Sequence, residues 1–249
     1  MRLRSVDMVL DRLPHELDGL RVVHLSDFHL GLPSRGAVAV ERAVEWTAER
    51  KPDLVCASGD LLSRGSGEAR LRTLLARLPQ PAFAILGNHD FAVSRDPFSE
   101  PTGIRDLGPV RLLSDDSETI EVRGKRVHVA GSDPRARWSR KRKRPAELAV
   151  DDADLSILLC HYPQAIDSLP AGAFDLVLAG HMHDGQISIP LPGTKLRLAH
   201  PKARYTSGLY RRPGGVLHVS PGLGTTFVPF RFFARPEATE LVLRSTIRA

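Results

Sequence analysis

The chain has 249 residues, 42% hydrophobic and 26% charged, with a formal net charge of +6. That length suits one α/β or two-sheet domain, with enough apolar residues for a sizeable core. No stretch approaches the ~18 consecutive apolar residues of a membrane helix. The basic start Met1-Arg2-Leu3-Arg4 runs into Asp7, Asp11 and Arg12, which interrupts any signal-peptide core and predicts a cytoplasmic location.

Arg21 to Ser26 reads as a buried strand, followed by a helix over Ala37 to Arg50 with Ala43, Val44 and Trp46 on its inner face. Pro52 stops that helix, and Asp53 to Ser58 forms the next strand. A second helix is expected over Glu68 to Leu78, then a strand from Ala82 to Leu86. This β-α-β-α-β order predicts a partly parallel sheet covered by helices. Short strands follow at Val110 to Leu113, Thr119 to Val122 and Arg126 to Ala130, with buried ones at Leu155 to Cys160 and Asp175 to Ala179. A short helix around Gln164 to Ser168 separates the last two, and the glycine- and proline-rich C-terminal third predicts antiparallel strands and loops. With no repeat and no flexible linker, one domain spanning residues 1–249 is expected. The two cysteines, Cys56 and Cys160, sit in apolar runs and are expected as buried thiols rather than a disulfide.

Polar clusters follow five of these strands. Val22-Val23-His24-Leu25-Ser26 runs into Asp27-Phe28-His29, and Leu54 to Ser58 into Gly59-Asp60. Phe83 to Leu86 runs into Gly87-Asn88-His89-Asp90, Ile157 to Cys160 ends at His161, and Leu176 to Ala179 at Gly180-His181-Met182-His183. The carboxyl ends of strands are where open α/β sheets bind ligands, so the clusters are expected to converge. They offer two carboxylates, an amide oxygen and four imidazoles without a thiolate, which suits Mn²⁺, Fe or Zn²⁺ better than Ca²⁺. Seven ligands exceed one tetrahedral ion but serve two if a carboxylate is shared. Asp60, on the strand between the other two clusters, is the natural bridge. Metals ~3.5–4 Å apart are a recurrent device for displacement at phosphorus.

In this order the five elements resemble the calcineurin-like metallophosphoesterase superfamily. Gly180-His181-Met182-His183-Asp184-Gly185-Gln186 with Pro190, Ser207-Gly208-Leu209-Tyr210, Val219 to Thr225, Arg231 and Arg235-Pro236-Glu237 are similar to the YkuE/YaeI-type branch, which includes UDP-2,3-diacylglucosamine pyrophosphatases of lipid A synthesis. The resemblance implies two mixed β-sheets packed as a sandwich and flanked by helices. It also implies one metal on Asp27, His29, Asp60 and His183, and a second on Asp60, Asn88, His161 and His181. Two cations acidify a shared water, so hydrolysis by hydroxide attacking phosphorus in line is expected. His89 then stabilises the transition state or protonates the leaving oxygen, with Asp90 orienting its ring. The expected substrate is a phosphodiester or pyrophosphate: a nucleotide-linked lipid such as UDP-2,3-diacylglucosamine first, cyclic nucleotides or nucleic acid as alternatives. A non-catalytic adaptor on this scaffold would have lost ligands, and none is lost.

His24, His128 and His218 read as core residues, His15 and His200 as surface ones. Gly59, Gly87 and Gly180 are candidates for unusual dihedrals. Asp184 departs from the branch, where glycine is more common, and is expected to alter the loop or to add a charge near the expected metals. Arg135 to Arg144 carries seven basic residues in ten. It reads as a solvated loop, or as a contact for an anionic headgroup or membrane with Trp138 as anchor. Arg140, Lys141, Arg142, Lys143 and Arg144 are its candidate substrate-binding residues. Nucleic acid is disfavoured, because no stacking platform accompanies the charge.

Overall fold

The computed structural model describes residues 1–199 and 201–246, so His200 lies outside the described residues. Fourteen strands build two six-stranded mixed sheets and a separate hairpin. In the first sheet β1 (Arg2–Leu10) pairs parallel with β14 (Glu237–Ser245), which runs antiparallel to β2 (Arg21–Leu25). The sheet continues in parallel through β3 (Leu54–Ser58), β4 (Ala82–Ile85) and the two-residue β5 (Arg111–Leu112). In the second sheet β7 (Lys125–Gly131), β8 (Leu155–Leu159), β9 (Leu176–Ala179) and β13 (Gly215–Val219) are parallel, with β6 (Asp116–Val122) and β12 (Gly208–Arg212) antiparallel at the edges. The hairpin joins β10 (Ser188–Leu191) to β11 (Thr194–Arg197).

Side chains alternate between the two faces of each strand. On β2, Val22 packs between the sheets while Val23 and Leu25 face outward. The inter-sheet core gathers Val22, Leu54, Cys56, Phe83 and Ile85 against Val129, Leu155, Ile157, Leu159, Leu176 and Leu178. Each such side chain taken from water contributes about 1.5–3 kcal/mol. Two helices, α1 (Gly36–Arg50) and α2 (Glu68–Leu75), cover the outer face of the first sheet through Val40, Ala43, Val44, Leu71, Leu74 and Leu75. Lys51 closes α1 in the left-handed region immediately before Pro52, as the proline predicts.

The expected sandwich of two mixed sheets is the one observed, with one difference. Both α-helices lie on the first sheet, while the second is covered by short 3₁₀ turns and loops through Leu148, Ile166, Phe174 and Tyr205. The expected helix near Gln164 is one of these turns, Pro163–Ser168. The helix expected to reach Leu78 ends at Leu75, and β1 has no counterpart among the expected strands. Cys56 and Cys160 are buried free thiols. No helix among the described residues is long and apolar enough to cross a membrane.

Candidate metal centre

β2, β3 and β4 run in one direction within their sheet, and β8 and β9 do the same in the other. Both sets of carboxyl ends therefore deliver their polar clusters to one edge of the sandwich. Backbone bonds hold the emerging loops side by side: the Asp27 amide donates to the Gly59 carbonyl (2.9 Å), that of His29 to Asp60 (3.0 Å) and that of Gly180 to His161 (3.2 Å).

Asp27, His29 and His183 form one group whose ligand atoms all lie within 4.8 Å of one another, and Asp60, His161 and His181 form another. Asp60 belongs to both neighbourhoods, since its Oδ2 lies 3.6 Å from His29 Nε2 and 3.1 Å from His161 Nε2. Asn88 joins the second group, with Oδ1 3.0 Å from His161 Nε2. All seven residues expected as ligands are thus brought together. Asp27, His29, Asp60, His181 and His183 have φ between 49° and 72°. Left-handed backbone costs about 1–2 kcal/mol for a residue with a Cβ, and such strain concentrates at functional sites. Here all five residues lie in the segments that follow β2, β3 and β9.

Close packing replaces the unusual dihedral expected at two of the three glycines. Gly59 does have φ +96°, but Gly87 and Gly180 do not. A Cβ on Gly87 would meet Asp60 Oδ1 at 2.1 Å, and one on Gly180 would meet Ser26 Oγ at 2.0 Å and Asp27 Oδ2 at 2.4 Å. Both lack a side chain because a carboxylate occupies the space.

The donor set fits divalent cations. His161 Nδ1–H donates to the Ser58 carbonyl (2.9 Å), which directs Nε2 at Asp60 and Asn88. Such an outer partner fixes the tautomer a metal-binding imidazole needs. His29 is held likewise, its Nδ1 3.0 Å from Ser63 Oγ, and its Nε2 lies 3.1 Å from His183 Nε2. Burial alone would lower the pKa of His161, but the Asp60 carboxylate overrides it and pushes it up to about 9. Asp60, despite its burial, is held well below the usual carboxylate range by His161 and His89. These buried oxygens and nitrogens converge on places that attract positive charge, and a divalent ion supplies more of it than a proton.

His89 presents a ring nitrogen within 4.8 Å of ligand atoms of His29 and Asp60, while its amide donates to Asp60 Oδ1 (2.8 Å). Its expected partner is not the one observed. Asp90 accepts the amides of Leu61 (3.2 Å), Leu62 (2.8 Å) and Gly87 (2.8 Å), so both its oxygens are spent on shaping the β3 and β4 loops. Burial and the neighbouring Asp60 charge push its pKa up to about 7. The His89 ring is held by Ser99, whose Oγ makes a short hydrogen bond to Nδ1, with Asp96 Oδ2 3.9 Å away. Neither residue belongs to a motif, and both come from a loop after β4 whose fold is not periodic.

Arg231 is a further residue of the site. Its buried guanidinium donates to the carbonyls of Gly224 (2.7 Å) and Pro221 (2.7 Å), and Nη2 lies 2.8 Å from His183 Nδ1. Asp184 adds little free charge, because Lys195 (2.9 Å) and Arg197 (2.9 Å) neutralise it, and the Ser207 hydroxyl donates to it (3.1 Å). His24, His128 and His218 are core residues as expected. In the basic loop Arg142 faces Asp115 and Asp133 (3.6 and 3.4 Å), and Arg140, Lys141 and Lys143 are exposed. Of the five candidate substrate-binding residues only Arg144 lines the cavity beside His161.

A calcineurin-like phosphoesterase family model matches residues 20–185. The metallophosphoesterase YkuE of Bacillus subtilis is 28% identical over 94% of this chain and 82% of its own. The phosphodiesterase YaeI of Escherichia coli is 26% identical over 82% of this chain and 75% of its own. A Danio rerio transmembrane protein with a metallophosphoesterase domain is 32% identical over 96% of this chain and 56% of its own.

Proposed function

The chain belongs to the calcineurin-like phosphoesterase family, and from that premise we propose that it hydrolyses phosphodiester or pyrophosphate bonds with two divalent cations. The observation that carries this reading is the position of Asp60, within reach of both groups of ligands. Asp27, His29, Asp60 and His183 would hold one cation, and Asp60, Asn88, His161 and His181 the other. Mn²⁺ is the first choice, with Fe and Zn²⁺ compatible with the same donors. When bound, the pair supplies Lewis acidity toward the phosphoryl oxygens and an acidified water as nucleophile.

The remaining chemistry falls to the chain itself. Ser63 and the Ser58 carbonyl keep the His29 and His161 rings aimed inward. Arg231 secures the last loop against His183. Ser99 engages Nδ1 of His89, which leaves Nε2 to hydrogen-bond the phosphoryl group or hand a proton to the leaving oxygen. Asp90 acts one step back: its three backbone acceptor contacts hold the Gly87–His89 turn that presents Asn88 and His89. The similarity to YaeI, named as a phosphodiesterase, supports diesters as substrates. A nucleotide-linked lipid such as UDP-2,3-diacylglucosamine is the specific substrate proposed.

The test is hydrolysis of bis-p-nitrophenyl phosphate by the chelated protein before and after addition of Mn²⁺. Activity that returns with metal supports the reading. Protein that binds two metals yet turns over neither this diester nor the nucleotide-linked lipid would sink it.

A further inference from the structure

A cavity of about 340 Å³ opens beside the second group of ligands, with His161 and Tyr162 in its wall. Its size falls within the ~300–1,000 Å³ of sites that hold drug-sized ligands, far more than an inorganic phosphate fills. Three features describe what it would take.

Two uncompensated cations face it. Arg137 and Arg144 line the cavity, and neither forms an ion pair with an acid among the described residues. Other arginines of the same loop are already paired: Arg135 with Asp133 (2.6 Å), Arg142 with Asp133 and Asp115. Those two line a different cavity, on the side of Phe91 and Ile104. Arg140 is also without an ion pair among the described residues but lines neither cavity, so of the loop's unpaired arginines Arg137 and Arg144 are the two on the His161 side, where planar forks match phosphate oxygens.

The wall is also aromatic. Tyr162 lines it, edge-on to His181 at 4.6 Å between centroids, and Trp138, just outside the lining, meets Tyr162 at 5.7 Å. Arg137 lies 5.6 Å from the Tyr162 centroid and 6.0 Å from that of Trp138, while Trp138 is 59% exposed. An exposed tryptophan beside an arginine and a tyrosine is a surface for a planar ring, since every nucleobase has a face to stack; the stacking platform that the sequence does not show is thus assembled from Trp138 of the loop and Tyr162 after β8. Gln164, Ser132 and Ser168 add side-chain donors and acceptors to the lining.

We propose that this cavity is a subsite for a 5′-nucleotidyl unit of the substrate, with its base against Tyr162 and Trp138 and its phosphate on Arg137 and Arg144. The proposal rests on reading the adjacent centre as a phosphoester hydrolase and names the group that reaches that centre from the His161 side. Two sources share this chemistry, a nucleotide-linked lipid and a single-stranded nucleic acid.

Isothermal titration of the full-length, Mn²⁺-loaded protein with UMP, AMP and inorganic phosphate tests the subsite directly. The expected result is at least tenfold tighter binding of a nucleotide than of phosphate, and a tenfold or greater loss in Arg137→Gln/Arg144→Gln. Trp138→Ala is expected to weaken the nucleotide but not phosphate, which keeps the test open if the double variant fails to fold. A nucleotide that binds no tighter than phosphate, or as tightly to folded variants as to wild type, overturns the proposal. Competition against bound UMP by UDP-2,3-diacylglucosamine and by a short single-stranded oligonucleotide identifies the source, and displacement by neither also overturns it. Because titration reads binding, a protein that binds UMP here yet hydrolyses nothing would contradict the proposed activity and leave the subsite standing.

Discussion

The Nδ1 atoms of His24 and His218 stand 2.7 Å apart in the buried layer between the two sheets, one on β2 and the other on β13. His24 Nε2 lies 2.8 Å from Ser58 Oγ, which donates in turn to Ser26 Oγ (2.8 Å). This polarity assigns the protons. His24 gives Nε2–H to Ser58 and accepts at Nδ1 from Nδ1–H of His218, so both rings are neutral. The relay ties the sheets together directly behind Asp27 and Asp60.

Acid should therefore loosen the sandwich. Burial, with Arg4 nearby, pushes His218 down to about 3, and burial with His218 holds His24 well below its ordinary value. Depressed folded-state values mean that this stability is complete above an unfolded value near 6.5 and is lost as pH falls below it. Each buried ring then costs up to about 1.4 kcal/mol per pH unit. Urea unfolding from pH 8 to pH 4.5 should show that loss. His218→Leu should be less stable at pH 8 by about 1–3 kcal/mol, because it strands the His24 acceptor, yet show a shallower pH dependence. A variant with the wild-type slope would contradict this assignment.

Asp60→Asn keeps the shape of the proposed shared ligand and removes its charge. Metal analysis should find two ions per chain in the wild type and at most one in the variant, with diesterase activity down at least about 10³-fold. Chelation of the wild type should lower its melting temperature, and metal at a hundred times its dissociation constant should restore about 2.7 kcal/mol per site. Two ions bound to Asp60→Asn would remove Asp60 from the bridging position.

His89→Ala should retain metal while kcat falls about 10²–10⁴-fold. Ser99→Ala leaves the ring in place without its Nδ1 partner and should cost about 10–100-fold in kcat, with KM changed less than about threefold. Ser99→Thr, which keeps the hydroxyl, should recover most of that loss. Equal effects of Ser99→Ala on kcat and KM would make Ser99 a packing residue and reopen the question of what orients His89.

Asp184 has φ 48° and anchors Lys195 and Arg197 of the β10–β11 hairpin. Asp184→Ala loses both contacts and keeps a Cβ in left-handed backbone, whereas Asp184→Gly loses only the contacts. The glycine variant should be the more stable of the two by about 1 kcal/mol in urea unfolding. Both should exchange amide protons faster across Ser188–Arg197 than the wild type. Equal stability would show that the backbone at 184 relaxes once the ion pairs are gone.

Much of the centre was legible because its signals are local. A short apolar run that ends in Asp-x-His, Gly-Asp or Gly-His-x-His states both a strand and its terminus, and parallel pairing puts such termini on one edge. The candidate ligands follow from residue type and order. Adjacency in sequence points Asp90 at His89, but its partners in space are amides of the preceding loop, about thirty residues earlier. Ser99 carries no motif, and β1 pairs with a strand at the other end of the chain, a contact that no local pattern encodes.

By itself, then, the sequence determined which polar side chains gather at the strand ends, since alternation and strand termini are written in consecutive residues. Tertiary structure decided the rest. It set the left-handed turns at five of the candidate ligands, the carboxylate pressed against Gly87, the histidine relay between the sheets and the arginines turned toward His161. Each depends on atoms brought together from distant parts of the chain, and their energies of close packing and buried charge exist only once both sheets are in place.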